Sequence, residues 1–168
     1  MLNRKPKILF LSTGDATRSQ MAAAFLRRKA VQSFEVASAA VRSDASHPLT
    51  NDVMREAGID MAGEISQSIA ESLKEPFACV ITICDATRER HPIFPFTPRL
   101  VHWSVTDPAG FGLEVLRHVR DEIEEQVARF IADFGPAATG PASSPTDLAN
   151  APSWTMPTYS ERKEHRNL

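Results

Sequence analysis

The sequence predicts an α/β fold, in which a four-stranded parallel sheet forms the middle layer of a three-layer sandwich. Two observations predict it. Short apolar runs of strand type alternate along the chain with segments of helical type, and strands separated by helices pair in parallel and are buried on both faces. The most polar loops follow two of those runs, "KILFL" and "VHWSV". Ligands of parallel sheets bind beyond the carboxyl ends of the strands, so the two loops can share one site.

Each element has its own reason. "KILFL", residues 7–11, is an apolar run bounded by Pro6 and Thr13-Gly14 and reads as a buried strand. "RSQMAAAFLRRKA" is rich in helix formers and places Met21, Phe25 and Leu26 on one side, so a helix follows. "FEVASAA" has the look of a second strand. "PLTNDVMREAGID" reads as a helix stopped by Gly58, and "SQSIAESL" as a further short helical turn. "ACVITIC" is the clearest strand, because Val80, Ile81 and Ile83 favour sheet. "RLVHWSV" supplies a fourth strand, ending at Thr106-Asp107-Pro108. A long helix runs from Leu113 to Phe134. Leu116, Val119, Ile123, Val127, Phe130 and Phe134 recur there at three- and four-residue steps and make one core-facing stripe.

The 168 residues suffice for one domain with a substantial core and are short for two. That domain is expected over residues 1–134. From Gly135 the chain turns to proline, alanine, serine and glycine with almost no apolar period, which reads as a C-terminal tail over 135–168. Disorder is one reading of the tail. The other is that Trp154, Met156 and Tyr159 anchor it on its own domain or on a sister subunit, which would make a homodimer through the tail. In that case Tyr159, the only tyrosine, could also dock in the site as a pseudo-substrate.

A formal charge of −2 gives no reason to expect a nucleic-acid or acidic-membrane partner. No apolar run approaches the roughly 20 residues that span a bilayer, and the start "MLNRKPKILFLSTGD" has too short an apolar run for a signal segment. Cys79 and Cys84 lie close together on one strand, as reduced thiols of a cytoplasmic protein would.

The candidate chemistry lies in the loop Ser12, Thr13, Gly14, Asp15, Ala16, Thr17, Arg18, Ser19. A loop passing from a strand into a helix points several backbone N–H groups at one spot, backed by the positive end of the helix dipole. Gly14 allows a sharp turn and a close approach to a ligand. Asp15 tolerates a left-handed conformation and can brace its neighbours' amides. Arg18, in the first helical turn, offers a planar fork for two oxygens of a tetrahedral dianion. A phosphate-shaped anion is the natural occupant.

Ser12 stands six residues before Arg18 and Ser19 follows it, so the loop resembles that of the low-molecular-weight protein tyrosine phosphatases and of the arsenate reductases sharing their fold. Their loop reads Cys-x-x-x-x-x-Arg-Ser. "RSQMA", "NDVMREAGID", "VITIC", "HWSVTDPAG" and "RHVRDEIEEQV" resemble the thioredoxin-coupled reductase branch in particular, in order from Lys5 to Phe134. The resemblance implies a low-molecular-weight phosphatase-like sandwich of flavodoxin-like topology. It implies that the amides of Thr13 to Ser19 and the Arg18 guanidinium bind the oxyanion, and that Ser19 donates a hydrogen bond toward position 12. It makes Asp107 the general acid that protonates the leaving group, and Cys84 the first resolving cysteine. Read from the residues alone, Asp107 is a turn-initiating Asp-Pro and both cysteines are buried small hydrophobes.

Four departures bear on activity. Position 12 is serine, whose hydroxyl is neither readily ionised nor strongly nucleophilic without an adjacent base. His91, in "RERHP", stands where the reductases carry their final resolving cysteine. Asp15 replaces the usual asparagine and adds negative charge beside a dianion. Ala23 stands where a potassium-ligating glutamate is expected, so no metal and no cofactor are expected. The reading is therefore an impaired member of the family that binds phosphate, arsenate or a phosphorylated side chain. The alternative is an active phosphomonoester hydrolase with Asp107 as general acid, or a form of one trapped by serine in place of cysteine.

Overall fold

A computed structural model of the chain describes residues 4–42, 45–84, 97 and 99–134. The calls on His91, Trp154, Met156 and Tyr159, and on the tail as a whole, lie outside those residues. Within them the chain runs β1 (Lys7–Ser12), α1 (Thr17–Ala30), β2 (Glu35–Ala40), α2 (Thr50–Glu56), α3 (Ile69–Ser72), β3 (Cys79–Cys84), β4 (Leu100–Ser104) and α4 (Leu113–Phe134). Every strand and helix read from the sequence is present. The four strands pair in parallel in the order β2-β1-β3-β4.

Strand alternation divides the sheet into two apolar faces. Ile8, Phe10, Ile81, Ile83 and Trp103 pack on one side against Met21, Phe25 and Leu26 of α1 and the buried stripe of α4. That stripe consists of Leu116, Val119, Ile123, Val127, Phe130 and Phe134. Its aromatic end, where Phe130 stacks on Phe134, meets Phe34 and Trp103 in tilted and edge-on pairs. On the other side Leu9, Leu11, Ala37, Ala39 and Val80 pack with Phe77, and Ile69 of α3 leans on them. Flanked by β2 and β3 and covered on both faces, β1 is buried along nearly its whole length.

Turn chemistry sets the element ends. Past α2, Gly58 takes φ +73°. The N–H of Ile59 reaches Met54 O at 3.0 Å and that of Gly58 reaches Arg55 O at 2.9 Å, the paired bonds of a Schellman ending. The short α3 is held by a capping box: Glu71 N–H donates to Ser68 Oγ at 3.2 Å and Ser68 N–H to Glu71 Oε2 at 3.3 Å. In α1 the basic residues Arg27, Arg28 and Lys29 sit in the last turn, where they complement the helix dipole. Its positive end therefore opens on the loop that follows β1.

Candidate functional site

β1 ends at Ser12 and α1 begins at Thr17, so residues 13–16 must reverse from strand to helix over the sheet edge. A neighbouring segment holds them. Val41 N–H donates to Ser12 O at 3.0 Å, Arg42 N–H to Gly14 O at 3.1 Å, and Ala16 N–H to Ala45 O at 3.0 Å. His47 N–H donates to Thr17 Oγ1 at 2.7 Å. The chain leaving β2 thus runs alongside the loop and fixes its shape. Ser12, Thr17, Arg18 and Ser19 are fully buried, and Thr13 nearly so.

The loop's amides divide into two groups. Ser19 N–H donates to Ser12 Oγ at 2.8 Å, and Thr17 N–H to Asp15 Oδ1 at 3.0 Å. Together with Ala16, three of the amides expected to face the anion are engaged inside the protein. Among the described residues no internal acceptor takes the amide hydrogens of Thr13, Gly14 or Asp15, and Thr13 Oγ1 is buried without a partner. Ser19 does donate toward position 12, through its main chain; its hydroxyl turns back to Ala16 O at 3.2 Å.

Two details of the loop differ from the sequence reading. Among the described residues none other than glycine has a positive φ, so Asp15 braces the helix start from ordinary backbone rather than from a left-handed one. Gly14 itself has no positive φ. What it provides is room: a Cβ there would lie 3.0 Å from Arg18 Nη2 and 3.4 Å from Asp107 Oδ2.

Those contacts bring together residues far apart in sequence. Arg18 reaches from the first turn of α1 to the exit of β4, where Nη1 donates to Val105 O at 3.0 Å. Its Nη2 lies 3.9 Å from Asp107 Oδ2. Asp107 is part-exposed, and its Oδ1 accepts the Ala109 N–H at 3.0 Å, which fixes the carboxylate in the Asp-Pro turn. The loop after β1 and the turn after β4 therefore meet over one spot, where a buried guanidinium, a carboxylate and a helix N-terminus converge.

Other residues lie elsewhere. The register Ser12↔Ile83 puts those two side chains on the same face as Phe10 and α1. Cys84, the next residue, is buried on the opposite face, so strand alternation separates its thiol from Ser12. Cys79 is buried, and desolvation pushes its thiol up to about 11 against a small opposing effect of Arg99. Ala23 is fully buried within the core of α1. Among the described residues no cluster of three or more His, Cys, Asp or Glu side chains could hold a metal ion. No described helix is long and apolar enough to cross a membrane.

The sequence reading did not find the carbonyls of Val105 and Ala45, nor Thr17 Oγ1, which position the guanidinium, the loop and the segment beside it. Main-chain acceptors 29 and 87 residues from their donors leave no mark in residue type.

Comparison with known proteins agrees with this fold. A sequence model of the low molecular weight phosphotyrosine protein phosphatase family matches residues 7–137. The chain is similar to arsenate reductase 2 of Staphylococcus saprophyticus, with 31% identity over 126 residues, covering 75% of this chain and 96% of that protein. It is similar to an arsenate reductase of Bacillus cereus, with 33% identity over 129 residues, covering 77% and 96%. Among solved structures, an arsenate reductase in the phosphate binding state superposes with a TM-score of 0.68 at 30% identity, covering 77% of this chain and 99% of that one.

Proposed function

The chain belongs to the low molecular weight phosphotyrosine protein phosphatase family, and from that premise we propose that it binds a tetrahedral oxyanion between Gly14, Arg18 and Asp107 and turns it over poorly. The ligand is phosphate, arsenate or a phosphorylated side chain. The observation that carries this reading is the position of Arg18 Nη2, 3.0 Å from where a Gly14 side chain would begin and 3.9 Å from Asp107 Oδ2. A bare backbone, a guanidinium and a carboxylate then surround one place at the strand ends. The similar arsenate reductase in the phosphate binding state supports the choice of anion.

Each group has a part. The Arg18 fork takes two oxygens of the anion. The amides of Thr13, Gly14 and Asp15, with the dipole of α1, meet the remaining charge. Ser12 sits at the base with its oxygen already accepting from Ser19 N–H, which holds the hydroxyl in place as a hydrogen-bonding wall. Among the described residues no imidazole or carboxylate bonds Ser12 Oγ to take its proton, so attack on phosphorus is slow. Deleting a covalent nucleophile costs on the order of a millionfold in rate in a protease.

A second reading keeps the same pocket and makes the protein a phosphomonoester hydrolase with Asp107 as general acid. The turn that aims Asp107 Oδ2 at the loop favours it.

An aryl phosphate assay tests both. The protein as it stands is expected to show no turnover above background, and Ser12→Cys to release phenol with inorganic phosphate competing. Asp107→Asn, added to Ser12→Cys, is expected to lower that rate by about two orders of magnitude, the usual contribution of an acid. Turnover by the unaltered chain that disappears in Asp107→Asn would establish the hydrolase instead. A Ser12→Cys protein that is inert and blind to phosphate would remove both.

A further inference from the structure

A cavity of about 370 Å³ lies between α1, the segment that joins β2 to α2, and the turn at residues 61–64. It is large enough for a small organic ligand. Ser12, Gly14, Arg18 and Asp107 do not line it, so it is distinct from the anion loop. Thr50 is 2% exposed, and among the described residues no group bonds its Oγ1. A buried hydroxyl left unpaired costs stability, so a partner in the cavity would supply a bond that the fold forgoes. Gln20, one residue past the loop, is more than nine-tenths buried and brings a carboxamide that both donates and accepts. Asn51 Oδ1 accepts Met61 N–H at 3.3 Å, which leaves Nδ2 to donate. His47 Nδ1 accepts Leu49 N–H at 3.2 Å, so Nε2 carries the ring proton and donates as well. Glu64 is the one charged side chain in the lining, and Arg27 is ion-paired with it.

We propose that this cavity binds a small uncharged polyol, a ligand with several hydroxyl groups on a short carbon frame. A hydroxyl donates and accepts at one atom, which matches the Thr50 hydroxyl and the Gln20 carboxamide, while the Asn51 and His47 donors meet its lone pairs. An ion fits less well. Glu64 is already neutralised by Arg27, and no other charge in the lining would offset the cost of taking an ion out of water. A wholly apolar ligand would leave Thr50 unpaired and strip water from the polar groups beside it. Met61 supplies an apolar surface for the carbon frame. The inference stands apart from the anion-binding reading, since neither Ser12 nor Arg18 takes part.

The test titrates the full isotopically labelled chain with myo-inositol and with D-glucose, and follows the side-chain amide signals of Gln20 and Asn51 by NMR. At least one of the two is expected to shift both signals saturably, with a dissociation constant of about 1 mM or tighter, the strength that three or four ordinary hydrogen bonds give. Thr50→Val keeps the side-chain shape and removes the hydroxyl. It should weaken the polyol about fivefold or more, the worth of one hydrogen bond. Its melting temperature should be unchanged or higher, because that hydroxyl has no bond in the fold to lose. Thr50→Ser should keep most of the affinity, and Gln20→Met should weaken it as Thr50→Val does. Arg18→Lys should leave polyol binding as it is, which separates this site from the anion loop. No saturable shift with either polyol, or Thr50→Val and Gln20→Met proteins that bind like the parent, would overturn the proposal.

Discussion

At Gly14 the missing side chain matters for what it leaves open. Because its φ is not positive, alanine fits the backbone, but its Cβ would meet Arg18 Nη2 at 3.0 Å. Gly14→Ala is therefore expected to keep its melting temperature within a few degrees and to weaken phosphate binding by roughly ten- to a hundredfold, the loss of one charge-assisted bond. Titration calorimetry beside a thermal melt checks both. Ser19→Ala should behave differently. Its hydroxyl serves Ala16 O while the main chain serves Ser12, so affinity should stay within about threefold of the parent, below one ordinary hydrogen bond. This is the scale at which the sequence was least informative. Residue types named Gly14, Arg18 and Asp107, because glycine, arginine and Asp-Pro carry distinctive chemistry. Which amide faces inward depends on where Ala45 places its carbonyl, and nothing in the loop's own eight letters encodes that. The contacts of His102 with Thr82 and Cys84 went unnoticed for the same reason, since strand register brings them together.

Elements were far more legible than single bonds. The α4 stripe could be read position by position because a three- and four-residue period survives any detail of packing, and all six of its residues are buried. Replacing the central Ile123 by alanine should cost about 2–5 kcal/mol in urea unfolding. The contact of α4 with α2 adds a polar clasp that periodicity does not reveal. Glu56 accepts from Arg117 Nη2 at 2.7 Å and Nε at 2.9 Å, and from Arg120 Nη1 at 3.0 Å. The hydrogen bond from Arg117 leads in lowering the Glu56 carboxyl from 4.5 to about 2, with Arg120 adding to it against desolvation. A carboxyl lowered on folding stabilises the fold above its unfolded value and loses that contribution as pH falls. The clasp should therefore be fully present above pH 4.5 and fade toward pH 2. Glu56→Gln should flatten this part of the stability–pH curve, and salt should weaken the effect at so exposed a site.

Across the whole molecule, one parallel sheet does two things. Its order β2-β1-β3-β4 brings the ends of β1 and β4 to the same edge, where the loop and the Asp-Pro turn meet. Its pleat sends Ser12 and Cys84 to opposite faces, so the buried thiol stands apart from the anion loop. Alternating strands and helices made the parallel sheet readable in advance, and the position of the site followed from it. The central claim is that Arg18 and the bare loop hold a tetrahedral anion. Calorimetric titration of the full chain with inorganic phosphate, beside an Arg18→Lys variant that keeps the charge and loses the fork, tests it most directly. The account predicts saturable binding of one phosphate per chain, competed by arsenate and weakened at least about tenfold in the variant. No saturable heat, or binding that Arg18→Lys leaves unchanged, would contradict it.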